Sequence, residues 1–173
     1  MSVATMERPM TDQTKERLVR YLDDAWGVEK TLVSTLETMA NEVNDPQLKA
    51  ALMEHREVTH QQEENLEARI RALGEEPTKT KGFFNGMMAK LGDMMQVAHD
   101  DYDKTTRDLM KAFATENFEI AMYTSLESYA TAIGDTETAS LAQRHLQEER
   151  EAADKVFPFI APAAARAVNA AGT

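Results

Sequence analysis

A carboxylate lies inside the longest apolar stripe of the sequence, over residues 18–43. Apolar residues recur there at spacings of three and four: Leu18, Leu22, Ala25, Leu32, Leu36, Met39 and Val43. This spacing predicts a helix with one buried face. At about 100° per residue, Glu29 lies within about 20° of the centre of that face. A buried Glu is costly unless it is paired or binds a cation. Glu29 therefore constrains both the fold and the function.

Turn signals predict a first helical hairpin. The first helix is expected to start after Thr11 or Asp12 and to end near residue 42. Asn44-Asp45-Pro46 stops it and starts the second helix, with the Asp as N-cap and the Pro at the first helical position. Gly74 is expected to cap the C-terminus of the second helix.

A second hairpin follows from the same signals. The third helix is expected over about 103–133. Gly134-Asp135 then ends this helix and caps the next one, as Asn44-Asp45-Pro46 does in the first hairpin. The fourth is expected over about 136–156, where Pro158 bends or ends it. The fold class predicted is all-α, a four-helix bundle of two antiparallel hairpins.

This reading divides the chain into segments. We expect a flexible lead-in at 1–10, the bundle at 11–160, and an Ala-rich tail at 161–173 that is a short helix or frayed. Residues 75–102 are expected to form a short helical crossover, whose methionines are better explained by packing than by soft-metal binding.

Composition disfavours several classes of function. The chain has 19 basic and 30 acidic residues and a net charge of -11, which argues against a nucleic-acid partner because phosphate binding needs a basic surface. The absence of cysteine excludes disulfides, zinc-thiolate sites and thiol chemistry. No apolar run approaches membrane-spanning length and no signal-peptide pattern is present. We therefore expect a cytoplasmic protein with no membrane partner.

The two hairpins resemble each other at an offset of 90 residues. Leu36-Glu37-Thr38-Met39-Ala40 returns as Leu126-Glu127-Ser128-Tyr129-Ala130. The offset also aligns Glu29 with Glu119, Asp45 with Asp135, and His55 with His145. Matches in both helices and turns favour a pseudo-twofold bundle.

Helical wheels place an acid on the inward face of three helices. The main metal-ligand candidates are Glu29, Glu119, Glu149, His55 and His145, and further candidates near this face are Glu116, Glu148 and Glu63. Carboxylates with imidazoles suit iron or manganese, and zinc is an alternative. Without metal, some of these acids should stay protonated at neutral pH. The alternative is structural: a paired or snorkelling Glu and a hydrogen-bonded core histidine.

Glu57-Val58-Thr59-His60 has the Glu-x-x-His spacing of di-metal carboxylate proteins. The helical wheel places Glu57 and His60 away from the apolar face of their helix. This pair is therefore a reserve candidate for metal binding, dependent on a rotation of the helix.

Several motifs resemble the ferritin-like superfamily, and most closely its small bacterial stress-associated proteins of poorly defined function. The resemblance covers about residues 18–156. It is carried by Tyr21-Leu22-Asp23-Asp24-Ala25 with Glu29, by His55 with Thr59 and Gln62, by Glu116-Asn117-Phe118-Glu119-Ile120-Ala121-Met122-Tyr123 with Leu126, and by Leu146-Gln147-Glu148-Glu149. In that branch a Glu usually precedes the Thr of helix 2, where this chain has Val58.

The resemblance implies a di-iron or di-manganese carboxylate centre in a homodimer or larger homo-oligomer. It also implies a link to iron or oxidative stress. Our first hypothesis is therefore a ferroxidase-like protein that oxidises or sequesters Fe(II) with O2 or peroxide as oxidant, in which Tyr123, one turn from Glu119, orients a ligand or donates an electron. A manganese-dependent peroxidase or catalase is a weaker possibility. The alternative, favoured by Val58, is a non-enzymatic stress or assembly protein with a degenerate metal site.

Overall fold

A computed structural model describes residues 10–78, 86 and 100–171, which contain four long helices. These are α1 (Asp12–Glu42), α2 (Pro46–Ala72), α3 (Asp101–Ala132) and α4 (Thr136–Ala171). The described ranges contain no strand, so the predicted all-α bundle is confirmed. None of their helices combines the length and apolarity needed to cross a membrane.

The helix ends follow the predicted capping chemistry. The Thr11 hydroxyl accepts the Thr14 backbone N–H at the start of α1. Asp45 Oδ1 accepts the first free N–H groups of α2, at 3.0 and 3.2 Å. After α2 and α3 the chain turns at Gly74 and Gly134, with φ of +81° and +77°, a left-handed conformation that is strained for other residues.

Neighbouring helices of the bundle are antiparallel. α1 packs on α2 and α3 on α4, and the hairpins meet through α1–α3 and α2–α4. Glu42 at the end of α1 pairs with Lys104 at the start of α3, and Arg69 near the end of α2 pairs with Asp135 before α4. The end of α2 and the start of α3 therefore lie at opposite ends of the bundle, which is the topology of a crossover. The short helices predicted within 75–102 fall largely on residues 79–85 and 87–99, outside the described part.

Helix α4 is longer than the sequence predicted. It continues through Pro158 and Pro162 to Ala171 instead of ending near residue 156. Both prolines are exposed, so water can solvate the carbonyl groups that lose their helical N–H donors.

Contacts with the first hairpin hold this C-terminal half of α4. Ala163 is buried in an apolar cluster with Leu36 and Leu48, and the Arg166 guanidinium donates to Asp45 Oδ2 at 2.9 Å. These long-range contacts outweigh the unfavourable local propensity of the prolines.

The core consists of two large apolar clusters with a polar layer between them, and of a small third cluster formed by Val28 and Leu32. One cluster includes Leu18, Leu22, Leu66, Ile70 and Leu126. The other, at the end of the bundle that contains the α1–α2 turn, includes Leu36, Leu48, Leu52, Leu109 and Val156. Between these sets lie buried polar residues from all four helices, among them Glu29 of α1, Gln62 of α2, Glu119 of α3 and Glu149 of α4.

Arg69 joins the first hairpin to the turn of the second. Its Nη2 donates to both oxygens of Asp135, at 2.9 and 2.7 Å, and its Nε donates to the Thr138 hydroxyl at 2.8 Å. The Asp135 side chain is 3% exposed and that of Arg69 11%. An Asp that caps α4 therefore also anchors α2.

Replacement of Arg69 tests this anchor. Because Arg69→Ala leaves the Asp135 carboxylate buried without its partner, we expect a loss of about 3 kcal/mol in the free energy of unfolding. Arg71→Ala is the matched control, since Arg71 makes only surface ion pairs and should cost less than about 1 kcal/mol. Urea unfolding of both variants measures the difference, and equal losses would contradict the prediction.

Candidate metal centre

Three carboxylates from three helices meet at the middle of the bundle. One oxygen from each of Glu29 (α1), Glu119 (α3) and Glu149 (α4) lies within 4.8 Å of the others. None of the three residues is more than 1% exposed. Ionised carboxylates at this separation repel one another strongly in a dry interior, so the group requires protons or a cation.

A second group adjoins the first through Glu149. His55 (α2), Glu116 (α3) and Glu149 each offer a ligand atom within 4.8 Å of the others. His55 Nε2 lies 3.2 Å from Glu116 Oε1, but it has no aligned hydrogen bond, so this contact is electrostatic. Because Glu149 belongs to both groups, the five residues form one continuous set of possible ligands.

Neutral donors from Tyr123 and Gln62 orient two of these acids. The Tyr123 hydroxyl donates to Glu29 Oε1. Gln62 Nε2 donates to Glu149 Oε1 and, at 3.0 Å, to Glu148 Oε2. In the sequence, Gln62 is part of the α2 motif that carries the family resemblance. Its role as the donor that joins neighbouring acids could not be predicted, because a helical wheel does not give side-chain partners across helices.

Several buried atoms of the layer have no hydrogen-bond partner among the described residues. They are Glu29 Oε2, both oxygens of Glu119, Glu116 Oε2, Glu149 Oε2, Gln62 Oε1, Thr59 Oγ1, His55 Nε2 and His145 Nδ1. An unsatisfied buried polar atom costs about 1–3 kcal/mol. Oxygen-rich donors with an imidazole suit iron, manganese or zinc, so the residues present fit a divalent metal of this class.

Burial shifts the titration of the acids. Desolvation raises the pKa of Glu29 to about 8, although the hydrogen bond from Tyr123 and the charge of His55 oppose the shift. Burial also raises the pKa values of Glu119 and Glu149 well above the usual range, and the charge of Glu29 adds to both shifts. In the metal-free protein each of these shifts favours the protonated, uncharged form of its carboxyl group.

The two repeat-related histidines differ in surroundings. Burial disfavours the charged form of His55, but the neighbouring Glu116 and Glu29 carboxylates outweigh it and raise its pKa. For His145, burial and then Arg144 lower the pKa to about 4. His145 Nε2 lies 3.4 Å from Asn65 Nδ2, and its ring packs edge-on against Tyr123. His55 belongs to a ligand group, whereas His145 belongs to neither.

The remaining candidates lie outside both groups. Glu57 is exposed and pairs with Arg56, and His60 Nδ1 lies 3.5 Å from Glu63 Oε2. Glu63 also lies 3.3 Å from Lys30 Nζ at the surface, while Glu148 is half-buried. The Glu57-x-x-His60 pair faces outward, as the helical wheel indicated.

Residues 13–169 match the family model DUF892, described as a domain of unknown function. The chain belongs to the DUF892 family. Protein YciF of Escherichia coli (strain K12) is 24% identical to it over 136 residues, covering 76% of this chain and 81% of YciF.

Two crystal structures share its fold. One is a protein from Xanthomonas campestris pv. campestris, with a TM-score of 0.77 and 26% identity, covering 93% of this chain and 99% of that one. The other is the E. coli stress protein YciF, with a TM-score of 0.77 and 20% identity, covering 89% and 98%. The resemblance to stress-associated ferritin-like proteins, and the ferritin-like four-helix bundle, are confirmed.

The buried acids make the stability of the metal-free protein depend on pH. Because the pKa of Glu29 rises from 4.5 to about 8 on folding, the native state binds more protons than the unfolded state between these values. The free energy of unfolding therefore falls as pH increases through this window. The decrease is up to about 1.4 kcal/mol per pH unit for each extra proton that the native state binds. Urea unfolding with a chelator at pH 6.5 and 8.5 should show this loss.

Glu29→Gln should reduce the loss of unfolding free energy between pH 6.5 and 8.5, because an amide side chain does not titrate. Glu37→Gln, on the exposed face of the same helix, should leave it unchanged. The same pH dependence in wild type and Glu29→Gln would contradict the assignment.

Proposed function

We propose that this protein binds one or two Fe(II) ions in the carboxylate layer and oxidises them, as a ferritin-like protein of the oxidative-stress response. The observation that carries the proposal is the buried Glu29–Glu119–Glu149 group with its unpartnered oxygens. The name of the relative YciF, a stress protein, supports the physiological setting.

The charges of the layer support two ions. Glu29, Glu116, Glu119 and Glu149 together carry four negative charges when ionised, which balances two divalent cations. Glu29 and Glu119 would hold one ion, His55 and Glu116 the other, and Glu149 would serve both. Manganese suits the same donors.

When bound, two Fe(II) ions supply one electron each, and one O2 takes up these electrons and two protons to form H2O2. The residues of the chain itself release protons, orient the carboxyl groups and exclude water. The Glu29, Glu119 and Glu149 carboxyls release protons when a cation binds. Tyr123 holds Glu29 through Oε1 and Gln62 holds Glu149 through Oε1, and the Oε2 atom of each acid has no hydrogen-bond partner among the described residues. The two apolar clusters exclude bulk water.

One observation favours the alternative, a non-enzymatic stress or assembly protein with a degenerate site. Helix α2 contributes no buried carboxylate among its described residues: it presents Thr59 and Gln62 to the core, and Val58 beside them. The alternative predicts that the wild-type protein retains no metal.

Metal stoichiometry distinguishes the two proposals. After anaerobic loading with Fe(II) or Mn(II), we expect about one or two ions per chain in wild type and none in Glu29→Ala/Glu119→Ala, which removes two ligands. The matched control is Glu57→Ala/His60→Ala, which should retain the wild-type stoichiometry because both residues face outward. Absence of metal in wild type would establish the alternative. Equal retention in wild type and the Glu29/Glu119 variant would overturn the assignment of the site to these two residues.

Tyr123→Phe tests how Glu29 is positioned. Loss of the hydroxyl raises the pKa of Glu29 further, so protons compete better with the cation, and Co(II) affinity near pH 7 should fall about 10-fold. The loss should shrink above pH 8, where Glu29 ionises. Tyr129→Phe is the control, because the Tyr129 hydroxyl donates to the Thr14 carbonyl instead. A loss independent of pH would indicate a merely structural role.

A further inference from the structure

A cavity between α2 and α4 extends from exposed residues to the carboxylate layer. Its volume is about 60 Å³, and we call it the α2–α4 cavity. Its inner end contacts His55 and Glu116, which belong to the second ligand group. The Glu116 side chain is 3% exposed, and its Oε2 has no hydrogen-bond partner among the described residues. The cavity therefore ends at a buried oxygen that can act as a metal ligand.

The outer end of the α2–α4 cavity is acidic. Its charged residues are three acids and one base: Glu54, Glu148, Glu151 and Lys155. Lys155 pairs with Glu54 at 2.8 Å, so the charges of this pair cancel. Glu148 and Glu151 accept hydrogen bonds from neutral amide groups, at 3.0 and 2.9 Å. Within the part of the chain that the structure describes, no basic side chain forms an ion pair with either of these two acids.

The acids of α4 form a series that leads from the surface to the layer. Glu151 is exposed, Glu148 is half-buried and Glu149 is buried. Glu148 and Glu151 are three residues apart, so they lie on the same side of the helix. Gln62 Nε2 donates to both Glu148 and Glu149. The half-buried acid therefore lies next to the acid that both ligand groups share.

The size of the α2–α4 cavity suits a cation that keeps part of its hydration shell. A water molecule needs about 10–15 Å³ of such volume, so the cavity holds a few water molecules at most. A divalent cation that loses its other water ligands needs oxygen atoms in their place. Glu148 and Glu151 supply carboxylate oxygens at the outer end, and Glu116 supplies them at the inner end.

A second cavity, between α1 and α3, reaches the same two ligands but differs in charge. It has a volume of about 220 Å³, and its lining includes His55, Glu116, Asp108 and Lys111. Asp108 lies 3.4 Å from Lys111 and 2.7 Å from Lys104, so basic groups offset its negative charge. A cation is therefore attracted more strongly to the outer end of the α2–α4 cavity.

We propose that divalent cations enter the metal centre through the α2–α4 cavity, and that Glu148 and Glu151 bind them at its outer end. The inference rests on the proposed function, because it assigns an entry route to the ions of that site. Acids without an ion-pair partner raise the local concentration of cations and replace part of their hydration shell before the cations reach His55 and Glu116. The two acids therefore determine the rate of metal binding, and the buried residues form the final ligand set.

Stopped-flow Co(II) binding to the metal-free full chain tests the two acids. Glu148→Gln/Glu151→Gln, the outer-acid variant, should lower the association rate constant about tenfold at low ionic strength, with stoichiometry at the wild-type value. The loss should shrink in about 0.5 M NaCl, because salt screens exposed charges. The matched control is Glu37→Gln/Glu64→Gln, in which both residues are exposed and line neither cavity. Its rate constant should stay within about twofold of wild type.

Steric variants test the route without a change in charge. Val58 is half-buried in the wall of the α2–α4 cavity, and Thr35 is half-buried in the wall of the cavity between α1 and α3. Val58→Phe should slow Co(II) association and Co(II) transfer to a chelator by the same factor, about tenfold, because a narrower route raises one barrier for both directions. The equilibrium constant should therefore stay unchanged. Thr35→Phe should match wild type, and Ala51→Leu is a second variant that narrows the α2–α4 cavity.

The outcomes separate this inference from the proposed function. Wild type that binds no Co(II) overturns the proposed function and the route with it. Wild type that binds Co(II), with unchanged association in the outer-acid variant, overturns the route alone. A lower stoichiometry in that variant would make the two acids ligands of the bound ion, and an equal loss of rate in the matched control would make the effect one of overall charge. Slower binding in Thr35→Phe but not in Val58→Phe would assign entry to the other cavity. Each of these three results also overturns the proposed route.

Discussion

The cost of removing carboxylates from water governs the architecture of this bundle. Glu29, Glu119 and Glu149 are almost wholly buried, and neither their mutual repulsion nor their desolvation is relieved by a basic side chain within their group. Protons neutralise these carboxylates in the metal-free protein, and a bound divalent cation would neutralise them in the metal-bound protein. The apolar clusters on either side must then supply the stability that the layer does not.

The internal repeat gives equivalent residues at only some positions of the carboxylate layer. Glu29 and Glu119 are equivalent, but the residue of α2 that corresponds to Glu149 is Thr59, and the residue of α1 that corresponds to Glu116 is Trp26. An approximately symmetric scaffold therefore holds an asymmetric donor set. Among the described residues, His55 is the single imidazole within a ligand group.

Local signals in the sequence were sufficient for the bundle and for the three central acids. Asp45, Gly74 and Gly134 act through the backbone next to them, and Glu29 was conspicuous because it interrupted an apolar period. The different roles of His55 and His145 could not be predicted from the sequence, because they depend on which side chain of a facing helix lies nearby. This is Glu116 for His55 and Asn65 for His145. The full length of α4 was likewise inaccessible, since Arg166 is held by a residue more than a hundred positions earlier.

The two aspartates that cap the hairpin turns have reciprocal partners. Asp45 binds Arg166 of the second hairpin, and Asp135 binds Arg69 of the first. These two ion pairs lie at opposite ends of the bundle and resist sliding of one hairpin along the other. A slip of one helical turn, about 5.4 Å, would exceed the 4.8 Å within which the acids converge. One buried ion pair and one more exposed pair thus oppose a change of axial register, and with it a change in the spacing of donors at the centre of the molecule.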